Sequence, residues 1–278
     1  MIMGQKVDLH IHSLYSDGRC RIPEIMQIIK KEAITVFAIT DHDTVDGIQE
    51  ARDVAASSVK CIAGIEFTCR EQRFSASGNA FSIHLLGYGF NPENIKLRAR
   101  LDKRKHGVIE VYDRLCKEIT QMGYKIRRED VPISCGIVMQ LCDVEAYVRQ
   151  LYPLAPEEVY GRIEEYASDL DQVNISVREA MELIHDAGGK TVWAHPFCTY
   201  RRFHKIRMSR EEIIDALPEM KETGLDGLEA DYLDFTEEER DWLRDIASRN
   251  GLITTAGSDF HGSPGRSRMG VDIKGDQL

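Results

Sequence analysis

The sequence predicts an α/β fold with a mainly parallel sheet, interrupted by an all-helical insertion. Over residues 1–91, short apolar or alternating runs are followed in turn by amphipathic segments, the pattern of repeated strand–helix units. At Asn91 this pattern stops, giving way to charged sequence with helical spacing, and it resumes after Ile175. A chain of 278 residues has room for one large domain carrying such an insertion.

Val7–His12 alternates apolar and polar residues as a half-buried strand does. Pro23 stands where helices often begin, and Ile25, Ile28 and Ile29 give the following helix an apolar face. Val36–Thr40 reads as a buried strand, Val45–Ala56 as a helix, Cys61–Thr68 as a strand and Asn79–Phe90 as another. Residues 92–174 form the expected insertion. Leu97, Leu101, Val108, Val111, Leu115 and Ile119 make an apolar stripe there, and Tyr124–Ile126 is its one candidate strand. In residues 175–278, Val177–Ala187 is a helix stopped by Gly188–Gly189. Strands at Lys190–Ala194, Leu225–Ala230 and Leu252–Ala256 alternate with helices at Glu211–Glu222 and Glu237–Arg249.

Composition narrows the function. Hydrophobic residues make up 42% of the chain and charged ones 29%, an ordinary globular balance. No apolar run approaches the roughly 20 residues that cross a bilayer. The N-terminus lacks a basic region followed by an apolar stretch, so a cytoplasmic location is expected. The seven cysteines contain no C-x-x-C pair, which argues against a disulfide framework or zinc knuckle and leaves most of them as expected small buried residues. With 36 basic and 46 acidic residues the net charge is −10, which does not suit long nucleic acid. A small phosphorylated partner, AMP-like compounds included, needs only a local basic pocket, and no membrane partner is expected.

The histidines carry the chemistry. Of nine, six fall at strand ends or just beyond them: His10, His12, His42, His84, His195 and His261. His10 and His12 are two apart on one strand, which puts both side chains on the same face. Glu66 at a strand end, Asp17 in the turn after the first strand and Asp259 beside His261 add carboxylates. The rim formed by strand ends is where α/β proteins build their sites. A nitrogen–oxygen donor set without sulfur suits zinc, manganese or iron, and it offers more donors than one ion uses. His106 and His185 read as helix-face residues.

The motifs run in order: DLHIHSLYSDG at Asp8–Gly18, TDHDT at Thr40–Thr44, GIEF at Gly64–Phe67, HLLGYGF at His84–Phe90, AHP at Ala194–Pro196 and GSDFHG at Gly257–Gly262. This set resembles the PHP (polymerase and histidinol phosphatase) superfamily, in particular its stand-alone phosphoesterases. The resemblance implies a distorted (β/α)7 barrel with two or three divalent ions (manganese, zinc or iron) at the strand ends. Carried over position by position, it assigns His10, His12, Glu66 and Asp259 to one ion, Glu66, His84 and His195 to a second, and Asp17, His42 and His261 to a third. Asp41 and Asp43 would orient His42 from behind. A metal-bridging hydroxide would attack phosphorus in a small phosphorylated substrate: a nucleotide, nucleoside bisphosphate or sugar phosphate.

Substrate contacts are read from charge. The segment YRRFHKIRMSR at Tyr200–Arg210 follows His195 and is basic in an acidic chain. Arg201 or Arg202 is the expected phosphate clamp, Arg19 beside the SDG turn a similar candidate, and His204 a possible proton donor. In relatives the insertion carries a Gly-Arg-Pro-His-like motif. Here Ile133–Leu141 reads ISCGIVMQL instead, which alters the expected substrate contacts. Alternatives carried forward are a cyclic-phosphate diesterase, a 5′–3′ exonuclease on short oligonucleotides, an amidohydrolase and a non-catalytic metal-binding module.

Overall fold

The computed structural model describes residues 5–273 apart from 75, 77, 202 and 203; the side chains of Arg201 and His204 also lie outside the described set. The first half builds β1 (Gln5–Ile11), α1 (Ile22–Lys31), β2 (Val36–Ile39), α2 (Gly47–Val54), β3 (Lys60–Thr68), β4 (Gln72–Arg73), β5 (Ala80–Phe81) and β6 (His84–Tyr88). Three helices follow: α3 (Ile95–Gln121), α4 (Leu141–Leu151) and α5 (Glu157–Val173). The chain then forms α6 (Val177–Asp186), β7 (Lys190–Trp193), β8 (Cys198–Arg201), β9 (His204–Arg207), α7 (Arg210–Thr223), β10 (Gly227–Tyr232), α8 (Glu237–Arg249), β11 (Ile253–Gly257) and β12 (Val271–Ile273).

The main sheet runs β11-β10-β7-β6-β3-β2-β1-β12. β1, β2 and β3 are parallel neighbours, as are β7, β10 and β11. β6 breaks the expected parallel order, because it is antiparallel to both β3 and β7. The segment from β3 to β6 contains only β4 and β5, and without a crossover helix the chain returns in the opposite direction. The sheet curls until its ends meet. The N-terminal part of β1 pairs with β12, and beyond it His12 N donates to Phe260 O at 2.8 Å. Gly257 permits this closure: a Cβ there would lie 2.3 Å from His10 Cβ. The result is a nearly closed, distorted α/β barrel.

One buried cluster draws on β1, β2, β6, β7, β11 and β12 and on no helix, so Val7, Leu9, Val36, Ala38, Leu86 and Val192 fill the space the sheet encloses. Outside it, Ile22, Ile25 and Ile29 of α1 pack on Phe37 and Ile39, while Met181, Ile184, Leu217 and Leu243 bring α6, α7 and α8 onto Ile65, Phe67 and Trp193. Burying such side chains contributes roughly 1.5–3 kcal/mol each.

The expected stripe on α3 divides. Leu97 and Leu101 join the barrel's core, whereas Val111, Leu115 and Ile119 join Val144, Val148, Val159 and Ile163 in a separate helical core. Asn94 caps α3 by accepting from the backbone of Lys96 and Leu97. Three local expectations change. Asn79–Phe90 is two short strands, split where Ser82 N turns to Tyr200 O and Ser82 Oγ to Cys69 O. Tyr124–Ile126 is no strand, because Ile126 bonds back to the Thr120 hydroxyl. All seven cysteines are free thiols, but only Cys69 and Cys116 are buried.

Candidate metal centre

The strand ends bring the predicted donors together. Glu66, at the end of β3, lies at the middle. Its Oε2 is 3.1 Å from His10 Nε2, 3.1 Å from His12 Nε2 and 3.3 Å from His42 Nε2. Its Oε1 is 3.1 Å from His84 Nδ1 and 3.2 Å from His195 Nε2. Asp259 Oδ1 approaches His12 Nε2 at 3.2 Å, and Asp17 Oδ2 approaches His261 Nε2 at 3.3 Å. Three donor groups result: His10, His12, Glu66 and Asp259; His42, Glu66 and His84; and His12, Asp17, His42 and His261.

These donors fit divalent cations by their own chemistry. His10 Nε2, His12 Nδ1 and Nε2, and Glu66 Oε2 are buried without a hydrogen-bond partner. Buried polar atoms rarely stay unpaired, and here His10 Nε2, His12 Nε2 and Glu66 Oε2 converge. Four rings are held from behind. His10 Nδ1–H donates to Glu229 Oε1 at 2.9 Å, His195 Nδ1–H to Cys198 O at 2.8 Å and His261 Nδ1–H to Asp259 O at 2.8 Å, and His42 Nδ1 meets Thr68 Oγ1 at 3.3 Å. Each bond leaves Nε2 aimed at the cluster, as metal-bound histidines require. Asp43, His195 and Asp259 adopt positive φ of 53°, 30° and 53°, the strained backbone that strand-end sites often carry.

Electrostatics reflect the crowding. Burial alone would lower the His12 pKa, but Asp259, Glu66 and Asp17 outweigh it and raise it to about 10. Burial would raise Glu66, yet the surrounding histidines hold it well below the ordinary carboxylate range. His42 goes the other way, its burial pressing it down to about 3. Histidines and carboxylates in such contact hold one another by charge, and a bound cation would take over that compensation.

Asp41 and Asp43, which flank His42 in the chain, make their contacts elsewhere. Asp41 accepts from Ser13 N, Ser13 Oγ and Ser16 Oγ at 2.6–2.7 Å, which shapes the turn that carries Asp17. Asp43 pairs with Arg104 of α3 at 2.9 Å and accepts from Thr68 N, tying the helical segment to the rim. The group behind His42 is the Thr68 hydroxyl.

Two side chains at the site escaped the sequence reading. Glu229, fully buried on β10, holds His10 through Oε1 and accepts from His195 N at 2.7 Å through Oε2. An acid within the fully buried strand GLEADY was the available signal. Arg266 lies 3.2 Å from Asp259 Oδ2 and lines a pocket of about 60 Å³ with His42, His84, His195, Tyr200 and Lys205. Tyr232 lines it too, donating its hydroxyl to Asp259. Of the basic segment, Lys205 faces this pocket, while Arg207 pairs with Glu239 and Arg210 with Glu238. That segment is a hairpin, β8–β9, with Arg201 opposite His204 at its tip. The side chains of Arg201 and His204, and Arg202 altogether, lie outside the described residues. Arg19 contacts Cys135 Sγ at 3.2 Å and lines the outer rim with Asp17, His261 and Arg266.

A barrel whose rim gathers buried histidines and carboxylates of this kind defines a metal-dependent hydrolase. Residues 8–191 match the PHP domain family, and the chain belongs to that family. A 5′-3′ exoribonuclease of Haemophilus influenzae is 27% identical, over 98% of this chain and 95% of its own length. A phosphoribosyl 1,2-cyclic phosphate 1,2-diphosphodiesterase of Eggerthella lenta is 26% identical, over 93% and 95%. An amidohydrolase structure from Chromobacterium violaceum superposes with a TM-score of 0.67 at 22% identity, covering 97% of this chain and 92% of that one, which is a likeness of fold. No helix among the described residues is long and apolar enough to cross a membrane.

Proposed function

We propose that this metal-dependent phosphoesterase hydrolyses a small phosphorylated substrate, such as a nucleotide, nucleoside bisphosphate or sugar phosphate, with two or three divalent ions of manganese, zinc or iron. The observation that carries this reading is the convergence of unpartnered, buried His10, His12 and Glu66 donor atoms at one rim. Divalent ions there would supply Lewis-acid polarisation of the phosphoryl group and an activated water. His10, His12, Glu66 and Asp259 would hold one ion, Glu66, His84 and His195 a second, and Asp17, His42 and His261 a third. Residues 92–174 act as a cap on the barrel formed by 1–91 and 175–278.

Arg266 and Lys205 supply positive charge beside the donor cluster, the role the sequence reading gave to Arg201 or Arg202. Arg266, 3.2 Å from Asp259 Oδ2, would grip phosphoryl oxygens in a fork beside the ions. A neutral amide has no use for these two cations, which favours phosphate over C–N bond substrates. The small pocket volume and the net charge of −10 favour a small substrate over a long strand.

The test is phosphate release with manganese from AMP, adenosine 3′,5′-bisphosphate, a cyclic ribose phosphate, histidinol phosphate and a short 5′-phosphorylated oligonucleotide. Turnover of one of the small compounds is expected. Turnover of the oligonucleotide alone would replace the reading with an exonuclease. No turnover by a metal-loaded protein would overturn it.

A further inference from the structure

A second cavity, about 240 Å³, shares His42 with the catalytic pocket. It lies between the barrel and the helical segment. Leu101, Val108 and Tyr112 of α3 line it, with Val45 and Tyr15 from the barrel loops. So does the stretch that replaces the motif of relatives, through Ile133, Ile137 and Val138. These three are 42%, 60% and 37% exposed, apolar side chains left facing water beside an active site. Their position is held by the backbone: Ile137 N donates to Ser16 O at 3.1 Å, and Gly136, at φ +59°, lies so close that a Cβ would be 1.7 Å from Ser16 O.

The charges around this cavity are largely spoken for. Arg98 pairs with Glu93 at 2.6 Å, Arg104 with Asp43 at 2.9 Å and Arg128 with Asp113 at 2.7 Å. Asp43, Asp46 and Asp102 line the cavity alongside these arginines and Lys105. An uncharged ring would bury apolar surface here, whereas a second phosphate would have to compete with carboxylates for Arg98, Arg104 and Arg128, three of the four cations that line it.

We infer that this cavity receives the ring-bearing body of the substrate's alcohol, so that the substrate class is a phosphate monoester with one phosphate and an apolar or aromatic body. The inference rests on the phosphoesterase reading above and narrows it: compounds with a second phosphate, bisphosphates and oligonucleotides alike, fit this cavity poorly.

The experiment compares kcat/KM for phenyl phosphate and 2-naphthyl phosphate, whose leaving groups are of similar acidity, using manganese-loaded full-length protein. The larger ester is expected to be favoured roughly tenfold, the discrimination one added apolar group typically allows. In Ile137→Ser/Val138→Ser the preference should collapse towards unity through the KM of the naphthyl ester. AMP should outcompete adenosine 3′,5′-bisphosphate in the wild type. Equal rates for the two aryl esters, or a preference that survives in the variant, would overturn the inference while leaving the phosphoesterase reading intact. Cleavage of the cyclic ribose phosphate but of no monoester would likewise overturn the inference alone, whereas failure of the loaded wild type to cleave any phosphate ester would overturn the phosphoesterase reading itself. Equal wild-type rates overturn the inference even where the variant does not fold.

Discussion

At the barrel rim, His10, His12 and Glu66 are fully buried, and the His10, His42, His195 and His261 rings are pinned by a carboxylate, a carbonyl or a hydroxyl. On the helical segment above, Ile133, Ile137 and Val138 face the neighbouring cavity from a connecting stretch, held by backbone bonds to Ser16 and to the Asp143 carboxylate and by the Arg19–Cys135 contact. The contrast teaches where change is tolerated. A rim side chain is coupled to several buried partners, so altering it disturbs a network. A side chain on the connecting stretch is held by few partners, and altering it changes what the cavity accepts without touching the donors.

Attacking the rim should give the largest effect. Glu66→Gln removes the carboxylate shared by two of the three donor groups, and phosphate release together with bound metal should fall to background in parallel assays. A purified variant with near-normal rate and metal content would break the assignment. Glu229→Gln is expected to cost about 10–100-fold in metal affinity or rate, the usual effect of removing a group that orients a ligand histidine. If only thermal stability changed, Glu229 would be a packing residue. Arg266→Ala should lower kcat/KM by roughly 10–100-fold, equivalent to losing a charge-assisted hydrogen bond of about 1.5–3 kcal/mol. Partial recovery in Arg266→Lys with metal content unchanged would place its role on the substrate.

The smallest effect belongs to a site apart from both regions. Asp226 binds Lys190 and His185 at 2.7 Å each and accepts from Thr191 N at 2.9 Å. Burial would raise its pKa, but the Lys190, Thr191 and His185 bonds outweigh that and lower it. A folded-state pKa below the ordinary 3.8 means that its stabilisation is complete above that pH and is lost as pH falls through the folded value. Asp226→Asn should therefore cost only about 0.5–1 kcal/mol at neutral pH after solvent screening, and nothing once the pH is low enough to protonate the wild-type carboxylate. Thermal melts across pH check this, with turnover unaffected.

The donor residues were legible in the sequence because their signal is local. A strand's period of two and its end beside a turn are visible within a few residues, as at His10, His12 and His195. Arg104 shows the limit. It reads as one charge on a solvated helix face, yet it crosses from α3 to pair with buried Asp43. β6 shows another, since its direction depends on whether the preceding segment contains a crossover helix rather than on its own residues.

What the sequence determined by itself is the alternation of elements, the break in it between Asn91 and Ile175, and which histidines and carboxylates stand at the strand ends. Tertiary structure alone decided which groups stand behind those donors and which cations stand beside them. Glu229 finds His10 across 219 positions, and Arg266 reaches Asp259 from the loop between β11 and β12. Such pairings arise from closing the sheet on itself, and closure brings together residues whose separation along the chain carries no periodic signal.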